Sequence, residues 1–236
     1  MTRLIMTRKH KLKYFISILF CIFSATLYAE ETVGTDSISI DNRRNEVYQG
    51  THINLDIFNP VATAWRDGRF EASLSLDVDL WHRLFPELEV GFMTADIKKD
   101  DYKYETLGAF AKLGANYNFI NFKPDRRYDH TFYAGAKYAY SYTEYSLTDA
   151  TIENPYWNET GKYSNQNQVA HFGWFEVVVG VRVQVYKDFF MSVAMQVKTF
   201  GHFYEDSMCY PTYIAGYGKY GENVNFGLNY SLSYRF

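Results

Sequence analysis

The sequence predicts an all-β fold, an eight-stranded antiparallel transmembrane β-barrel, and three observations support this prediction. From residue 47 onward, eight segments alternate apolar residues with polar or small ones, and such alternation places the two sets on opposite faces of a strand. Most segments have roughly ten residues, enough to cross hydrocarbon at a tilt. In the strand centres, charged residues are confined to the polar set.

The first 29 residues have the pattern of a secretory signal peptide. Basic residues without an acid precede an apolar stretch over residues 14–29, and two acids follow it. The stretch is shorter than the roughly 20 residues of a membrane-spanning helix, so we expect cleavage after Ala29 rather than a membrane anchor. Leu27 is bulkier than the small residue usual three positions from a cleavage site. Residues 30–46 are polar and are predicted to be a flexible periplasmic lead-in, followed by the barrel over residues 47–236.

The mature chain is acidic. Removal of the signal peptide takes away five of the 24 basic residues and none of the 27 acidic residues, which leaves a net charge of −8. This balance argues against nucleic acid as a partner. Cys209 remains as a single cysteine, so it cannot form an internal disulfide.

The alternating segments follow one another along the chain with turn residues between them. They cover about residues 47–58, 69–80, 87–96, 103–119, 132–143, 175–185, 191–198 and 224–236. The third segment loses its alternation after Phe92, and a bulge there is expected to turn Met93, Ala95 and Ile97 outward.

The connections predict which end of the barrel faces which compartment. An even number of strands returns the chain to its starting side, so both termini are expected in the periplasm, with short turns on that side and long loops outside. Most connections agree, although the turn over residues 120–131 is longer than this rule favours. The short turns are residues 81–86 and 186–189, and the long loops are residues 59–68, 146–170 and 201–223.

Seven acids and six bases share the polar parity and are predicted to point into the lumen. Arg or Lys facing lipid near the midplane costs roughly 2–4 kcal/mol, which explains why the apolar parity lacks charges in the strand centres. Periodicity alone leaves a soluble, lipocalin-like barrel open, but the charge distribution, the signal peptide and the terminal Phe236 favour a membrane. The predicted lumen residues are Asp56, Arg69, Glu71, Asp77, Asp79, Glu87, Glu89, Lys112, Lys137, Glu176, Arg182, Lys198 and Arg235.

The predicted lumen charges have two interpretations. Eight strands enclose a space only wide enough for side chains, and unpaired buried charges are costly. We therefore expect these residues to pair and to plug the lumen. The alternative is a narrow conducting path, which requires a gap between them.

Three polar residues near the outer rim are candidates for catalysis. Glu144, Ser146 and His171 share the outward parity of two neighbouring strands, and a Ser–His–acid arrangement could act on lipid esters. Ordinary polar residues at the start and end of a loop are the favoured explanation, because the loop between Ser146 and His171 leaves the register of the two strands undetermined. The sequence therefore favours a protein that is not an enzyme.

The last long loop contains four residues of types that bind metals. His202, Glu205, Asp206 and Cys209 match no specific ligand spacing, so no metal and no cofactor are predicted. Tyrosine-rich stretches over residues 138–145 and 204–220 fit either an aromatic girdle at the membrane interface or an exposed binding surface.

The terminal strand resembles the closing strand of bacterial outer-membrane barrels, whose C-terminal aromatic is read by the assembly machinery. This resemblance implies an assembly signal formed by Leu228, Tyr230, Leu232, Tyr234 and Phe236. The architecture is similar to the small eight-stranded barrels of the OmpA/OmpX type. Three stretches, residues 48–60, 69–92 and 113–119, resemble a family of uncharacterised outer-membrane proteins found mainly in Bacteroidota. That family has no assigned activity, so the resemblance implies a barrel and a compartment but no catalytic residues.

Together these observations predict an integral outer-membrane protein of a Gram-negative bacterium with a structural or surface-binding role. The expected partners are outer-membrane lipid, the barrel-assembly machinery and an extracellular ligand or surface partner bound by the long loops. The alternatives are a lipid-modifying enzyme, an acyl hydrolase or transferase, and a narrow channel.

Overall fold

The computed structural model describes residues 47–64, 68–99, 102–120, 129–154, 159–205, 211–221 and 223–236. The predicted signal peptide and lead-in lie outside these residues, as does most of the predicted turn over residues 120–131. No helix in the described ranges is long and apolar enough to cross a membrane. The elements are β1 Tyr48–Asp56, α1 Phe58–Ala64, β2 Arg69–Leu80, β3 Leu84–Lys99, β4 Tyr102–Asn118, β5 His130–Asn154, β6 Glu159–Tyr186, β7 Phe189–Glu205, β8 Tyr213–Ile214, β9 Gly218–Lys219 and β10 Val224–Arg235.

Eight strands close into a barrel in the order β1-β10-β7-β6-β5-β4-β3-β2. Every neighbouring pair is antiparallel, and β10 pairs with β1 to complete the ring. The predicted eight-stranded antiparallel barrel is therefore confirmed. We call the end where β1 begins and β10 finishes the terminal end, and the opposite end the distal end.

Two strands extend far beyond the others at the distal end. The described pairing of β4 with β5 ends at Lys103 and Thr148, and that of β7 with β6 ends at Glu205 and Ala170. Residues 149–154 and 159–169 continue as a two-stranded structure, called here the strand ribbon. The prediction of a loop over residues 146–170 was wrong, because antiparallel pairing satisfies the backbone of these residues without the apolar alternation by which the other strands were recognised.

The third strand has no bulge. Its pairing with β4 runs without a register shift from Leu84 opposite Tyr117 to Lys99 opposite Tyr102. Met93 and Ala95 consequently point inward and are buried, so the predicted outward turn was wrong. The alternation disappears from the sequence because, in the distal half of the barrel, the inward-facing residues are apolar as well.

The outward face of the barrel is apolar. Leu113, Met195 and Phe226 expose 66%, 64% and 77% of their surface, respectively. The inward parity carries the charged residues of the strand centres, most of which are buried. A barrel with a water-facing exterior has the opposite distribution.

A short helix replaces a strand in one part of the wall. Strand β1 ends at Asp56, opposite Ser231, although β2 and β10 both continue toward the distal end. Helix α1 fills this position, and Thr63 Oγ1 accepts a hydrogen bond from the Glu71 backbone N–H at 3.3 Å. The predicted loop over residues 59–68 is therefore partly helical.

Candidate functional site in the barrel interior

The terminal half of the lumen is crossed by an ion pair between opposite walls. Arg182 on β6 donates to both carboxylate oxygens of Asp77 on β2, at 3.0 and 2.6 Å. His52 Nδ1 lies 3.0 Å from the same carboxylate, and Asn54 Nδ2 donates to it at 2.7 Å. Asp77 is fully buried, so its charge is compensated entirely by these groups.

A second group of charges lies beside the first and links four strands. Lys137 contacts Glu87 at 2.7 Å and Glu89 at 3.2 Å. Lys112 contacts Glu89 at 3.2 Å and Glu176 at 3.1 Å. Each lysine bridges two carboxylates, which ties β3, β4, β5 and β6 together across the interior.

The remaining predicted lumen residues occupy separate local sites. Asp56 accepts hydrogen bonds from the backbone N–H of Phe58 and the side chain of Asn59 at the start of α1. All thirteen predicted residues are buried except Arg69 and Arg235, which are partly buried. The other contacts are Arg69 with Glu71 at 2.6 Å, Asp79 with His82 at 3.0 Å, Lys198 with the Gly216 carbonyl at 2.6 Å, and Arg235 with Asp129 at 3.2 Å.

A small polar cavity remains between the two charged groups. Its volume is about 30 Å³, and its walls include Asn54, Glu89, Arg182 and Asn229. Such a space accommodates roughly one or two water molecules. The cavity is therefore too small for an organic ligand.

The distal half of the lumen is mainly apolar, although it contains the Arg69–Glu71 ion pair, and it is filled by the chain itself. Residues 211–221, called here the plug segment, fold between the walls as a short hairpin in which Tyr213 pairs with Lys219 and Ile214 with Gly218. Ile214, Ala215 and Tyr217 are almost completely buried there. They belong to one apolar cluster with wall residues that include Met93, Tyr104, Phe110, Ala139, Tyr145, Phe172 and Trp174.

The wall and the plug segment have complementary shapes. A Cβ atom on Gly108 would lie only 2.7 Å from the Cβ of Ala215, and one on Gly216 would lie 2.7 Å from the Phe110 ring. Gly216 also has a φ of +77°, which favours glycine. Gly108 and Gly216 thus allow the segment to approach the wall closely.

This apolar half was not predicted from the sequence. The inward parity that carries Lys112 and Glu176 also carries Phe110, Phe172 and Trp174 a few residues closer to the distal end. A change from charged to apolar residues within one parity was the available indication. Alternation alone does not reveal this change, because it assigns the whole inward parity of a strand to one polar face.

The three candidate catalytic residues are not brought together. Ser146 Oγ accepts a hydrogen bond from the Asn167 backbone N–H at 3.0 Å, and His171 Nδ1 lies 2.7 Å from the Tyr140 hydroxyl. His171 pairs with Tyr142, so Ser146 lies four residues further along β5, roughly 13 Å at about 3.3 Å per residue. Glu144 accepts a hydrogen bond from Tyr142 at 2.7 Å.

The other sequence-predicted residues fall in two places. His202 and Glu205 lie on β7, whereas Asp206 and Cys209 lie outside the described residues. In the proposed assembly signal, Leu232, Tyr234 and Phe236 are exposed on the outward face of the terminal strand, and Leu228 and Tyr230 are half-buried.

Comparison with known proteins gives a family but no activity. No curated protein matches the chain. Among solved structures, Neisserial surface protein A is 14% identical with a TM-score of 0.43, and the match covers 81% of this chain and all of that one. A major outer membrane protein from Thermus thermophilus is also 14% identical with a TM-score of 0.43, covering 80% of this chain and all of that one. Residues 11–236 match a domain of unknown function, DUF6048. The chain therefore belongs to the DUF6048 family, which confirms the predicted membership of a family without an assigned activity.

Proposed function

We propose that this protein is an integral β-barrel of the bacterial outer membrane that conducts no solutes and presents the strand ribbon outside the cell. The observation that carries the proposal is the polarity of the barrel. Large apolar side chains such as Leu113 and Phe226 face outward, and paired charges face inward. Lipid is the solvent that this arrangement favours.

The filled lumen supports a scaffold rather than a pore. Paired charges occupy the terminal half, and the plug segment occupies the distal half. The cavity between the charged groups holds roughly one or two waters. A rigid barrel of this kind leaves binding to the elements that project from it.

The strand ribbon is the element that best fits a binding role. It extends past the ends of the neighbouring strands, so part of its backbone has no strand partner in the described ranges. In the proposed orientation both termini are periplasmic and the ribbon is extracellular. The C-terminal strand would then be read by the assembly machinery from the periplasm.

Membrane insertion is tested by the outer-membrane fraction of cells that express the full chain. A folded barrel migrates differently on a gel before and after boiling, and mass spectrometry of the same band should show cleavage after Ala29. Recovery in the soluble fraction without detergent would overturn the proposal.

The role of the ribbon is tested by a deletion that spares the barrel. Replacing residues 149–163 with Asn-Gly joins Thr148 to Ser164 by a two-residue turn suited to antiparallel strands. Pairing with β4 and β7 is then retained. Removing residues 146–170 would be too much, because Ala170 is buried in the wall. We expect the shortened protein to show normal gel migration, and we expect bacteria that carry it to lose binding to cells or matrix. Unchanged binding would contradict the proposed role of the ribbon.

A further inference from the structure

The plug segment is attached to the wall without a shared sheet. Its strands β8 and β9 pair only with each other, and the barrel closes without them. The Tyr104 hydroxyl accepts hydrogen bonds from the backbone N–H groups of Thr212 and Tyr213 at 3.1 and 3.4 Å. Lys198 Nζ donates to the Gly216 carbonyl at 2.6 Å. Side chains therefore hold the segment in place, and its departure would leave the barrel ladder intact.

The wall beneath the segment is rich in aromatic rings. Tyr217 packs edge-on against Trp174, with 5.5 Å between ring centroids. Phe110, Phe172 and Met93 contribute to the same buried cluster. This geometry is one that aromatic rings prefer, so the wall can receive a ring other than that of Tyr217.

Lys198 adds a polar group with an unusual partner. Its side chain is buried, and no carboxylate oxygen among the described side chains lies within ion-pair distance of Nζ, although Glu176 lies opposite Lys198 in the register of β6 and β7. Its hydrogen bond goes instead to a backbone carbonyl of the plug segment. A buried charge is costly unless an opposite charge pairs with it, so the carboxylate of an acidic ligand is a better partner for this amine than a neutral backbone carbonyl.

We propose that the plug segment is an internal substitute for a ligand and can be displaced by an aromatic carboxylic acid. The ring of the ligand takes the place of Tyr217 against Trp174, and its carboxylate takes the place of the Gly216 carbonyl at Lys198. The ligand enters from the distal end, since the paired charges fill the terminal half. This inference concerns the interior of the barrel and does not depend on binding by the ribbon.

The closed arrangement is the resting state. If the plug segment leaves the wall, Ile214 and Tyr217 become exposed together with the rings that they cover. This exposure is unfavourable in water. A ligand shifts this equilibrium only if it binds the open state better than the closed state. An aromatic acid meets that condition because it covers the same wall and adds a charged partner for Lys198.

Trp174 provides the signal for a binding experiment. The purified barrel in detergent is titrated with 1-naphthylacetate and with 1-naphthylacetamide, which has the same ring without the charge, and Trp emission is recorded. We expect saturable binding of the acid at least tenfold tighter than that of the amide. Trp174→Phe should remove the saturable signal, and Lys198→Met should abolish the preference for the acid.

A disulfide between the wall and the plug segment gives the decisive comparison. Gly108→Cys with Ala215→Cys places two facing cysteines, since a Cβ on Gly108 would lie 2.7 Å from that of Ala215 and a small shift of the hairpin reaches the roughly 3.5–4.5 Å of a disulfide. Cys209→Ser prevents mispairing. Oxidation should abolish binding of 1-naphthylacetate and reduction should restore it, within one protein sample. Equal binding before and after reduction, or no saturable binding by the reduced and wild-type proteins, would overturn the proposal.

Discussion

Arg182 and Asp77 form a two-point hydrogen-bonded ion pair across the full width of the barrel, although 105 positions separate them in the chain. Their strands, β6 and β2, lie four positions apart in a ring of eight and are therefore diametrically opposed. His52 and Asn54 complete the environment of the carboxylate. This contact joins opposite walls of the barrel at one level of the lumen.

Asp77→Asn should destabilise the folded barrel strongly. Breaking a buried pair by removing one partner leaves an uncompensated charge, which costs about 3–5 kcal/mol. Urea unfolding in lipid vesicles, followed by the gel shift on boiling, measures this loss. Glu105→Gln is the matched control, because the ion pair of Glu105 with Lys103 is exposed and should contribute roughly 0–1 kcal/mol. Equal effects of the two substitutions would show that the lumen ion pair contributes no more to the free energy of unfolding than the exposed pair.

The wild-type protein should show no steady conductance in planar bilayers. A variant in which a Gly-Ser linker replaces residues 211–221 should also be silent, because the ion pairs of Arg182, Lys112 and Lys137 still fill the terminal half. Single-channel recording tests both proteins. Steady wild-type openings that change on Arg182→Ala would indicate a path through the charged groups and would contradict the filled lumen.

The sequence predicted the wall of this barrel better than its contents. Alternation specifies the face to which a side chain belongs. This information was sufficient to predict the strands and the inward orientation of Asp77 and Lys112. It does not specify what lies opposite a side chain in the lumen. Phe110 and Trp174 could therefore not be assigned to a plug contact, since the inward fold of residues 211–221 depends on tertiary packing.

Two local features were missed for a related reason. The strand ribbon is held together by the pairing of its two strands beyond Thr148. Because these residues do not alternate, their sequence does not predict this pairing. Helix α1 is too short for a recognisable helical period. It follows the early end of β1 at Asp56, whose carboxylate accepts hydrogen bonds from Phe58 and Asn59 at the start of the helix.

Leu113→Arg should distinguish a lipid-facing wall from a water-facing one. Leu113 is two-thirds exposed near the centre of β4. Arginine facing lipid there costs roughly 2–4 kcal/mol, whereas an exposed site in water tolerates it within about 0.5 kcal/mol. Unfolding in vesicles provides the measurement, with Glu105→Arg near the distal end of the same strand as the control. A neutral effect of Leu113→Arg would contradict membrane insertion.

Gly114→Ala should impair folding much more than Gly227→Ala. A Cβ on Gly114 would overlap the backbone carbonyl oxygen of Ala136 and crowd Lys137, whose side chain contacts Glu87 on β3. A Cβ on Gly227 would meet only side-chain atoms, Gln196 Oε1 at 3.1 Å and Lys198 Cε at 3.2 Å, which can move aside. We expect a loss at the upper end of the roughly 1–3 kcal/mol typical of overpacking for Gly114→Ala, measured by urea unfolding. Similar midpoints for the two variants would refute the close approach of β4 and β5.

Trp81→Gly should stabilise the turn between β2 and β3. Trp81 and His82 have φ values of 54° and 56°, and this turn conformation favours Asn or Gly at both positions. A non-glycine residue in the left-handed region costs roughly 1–2 kcal/mol, and His82 is retained because its ring contacts Asp79 at 3.0 Å. The substitution also removes the half-exposed indole, which can contact the lipid interface. Unfolding is therefore measured in detergent, where no lipid interface contributes. A higher midpoint is expected for Trp81→Gly than for the control Trp81→Ala, which removes the same ring without relieving the backbone. Equal midpoints for the two variants would show that the turn carries no backbone strain.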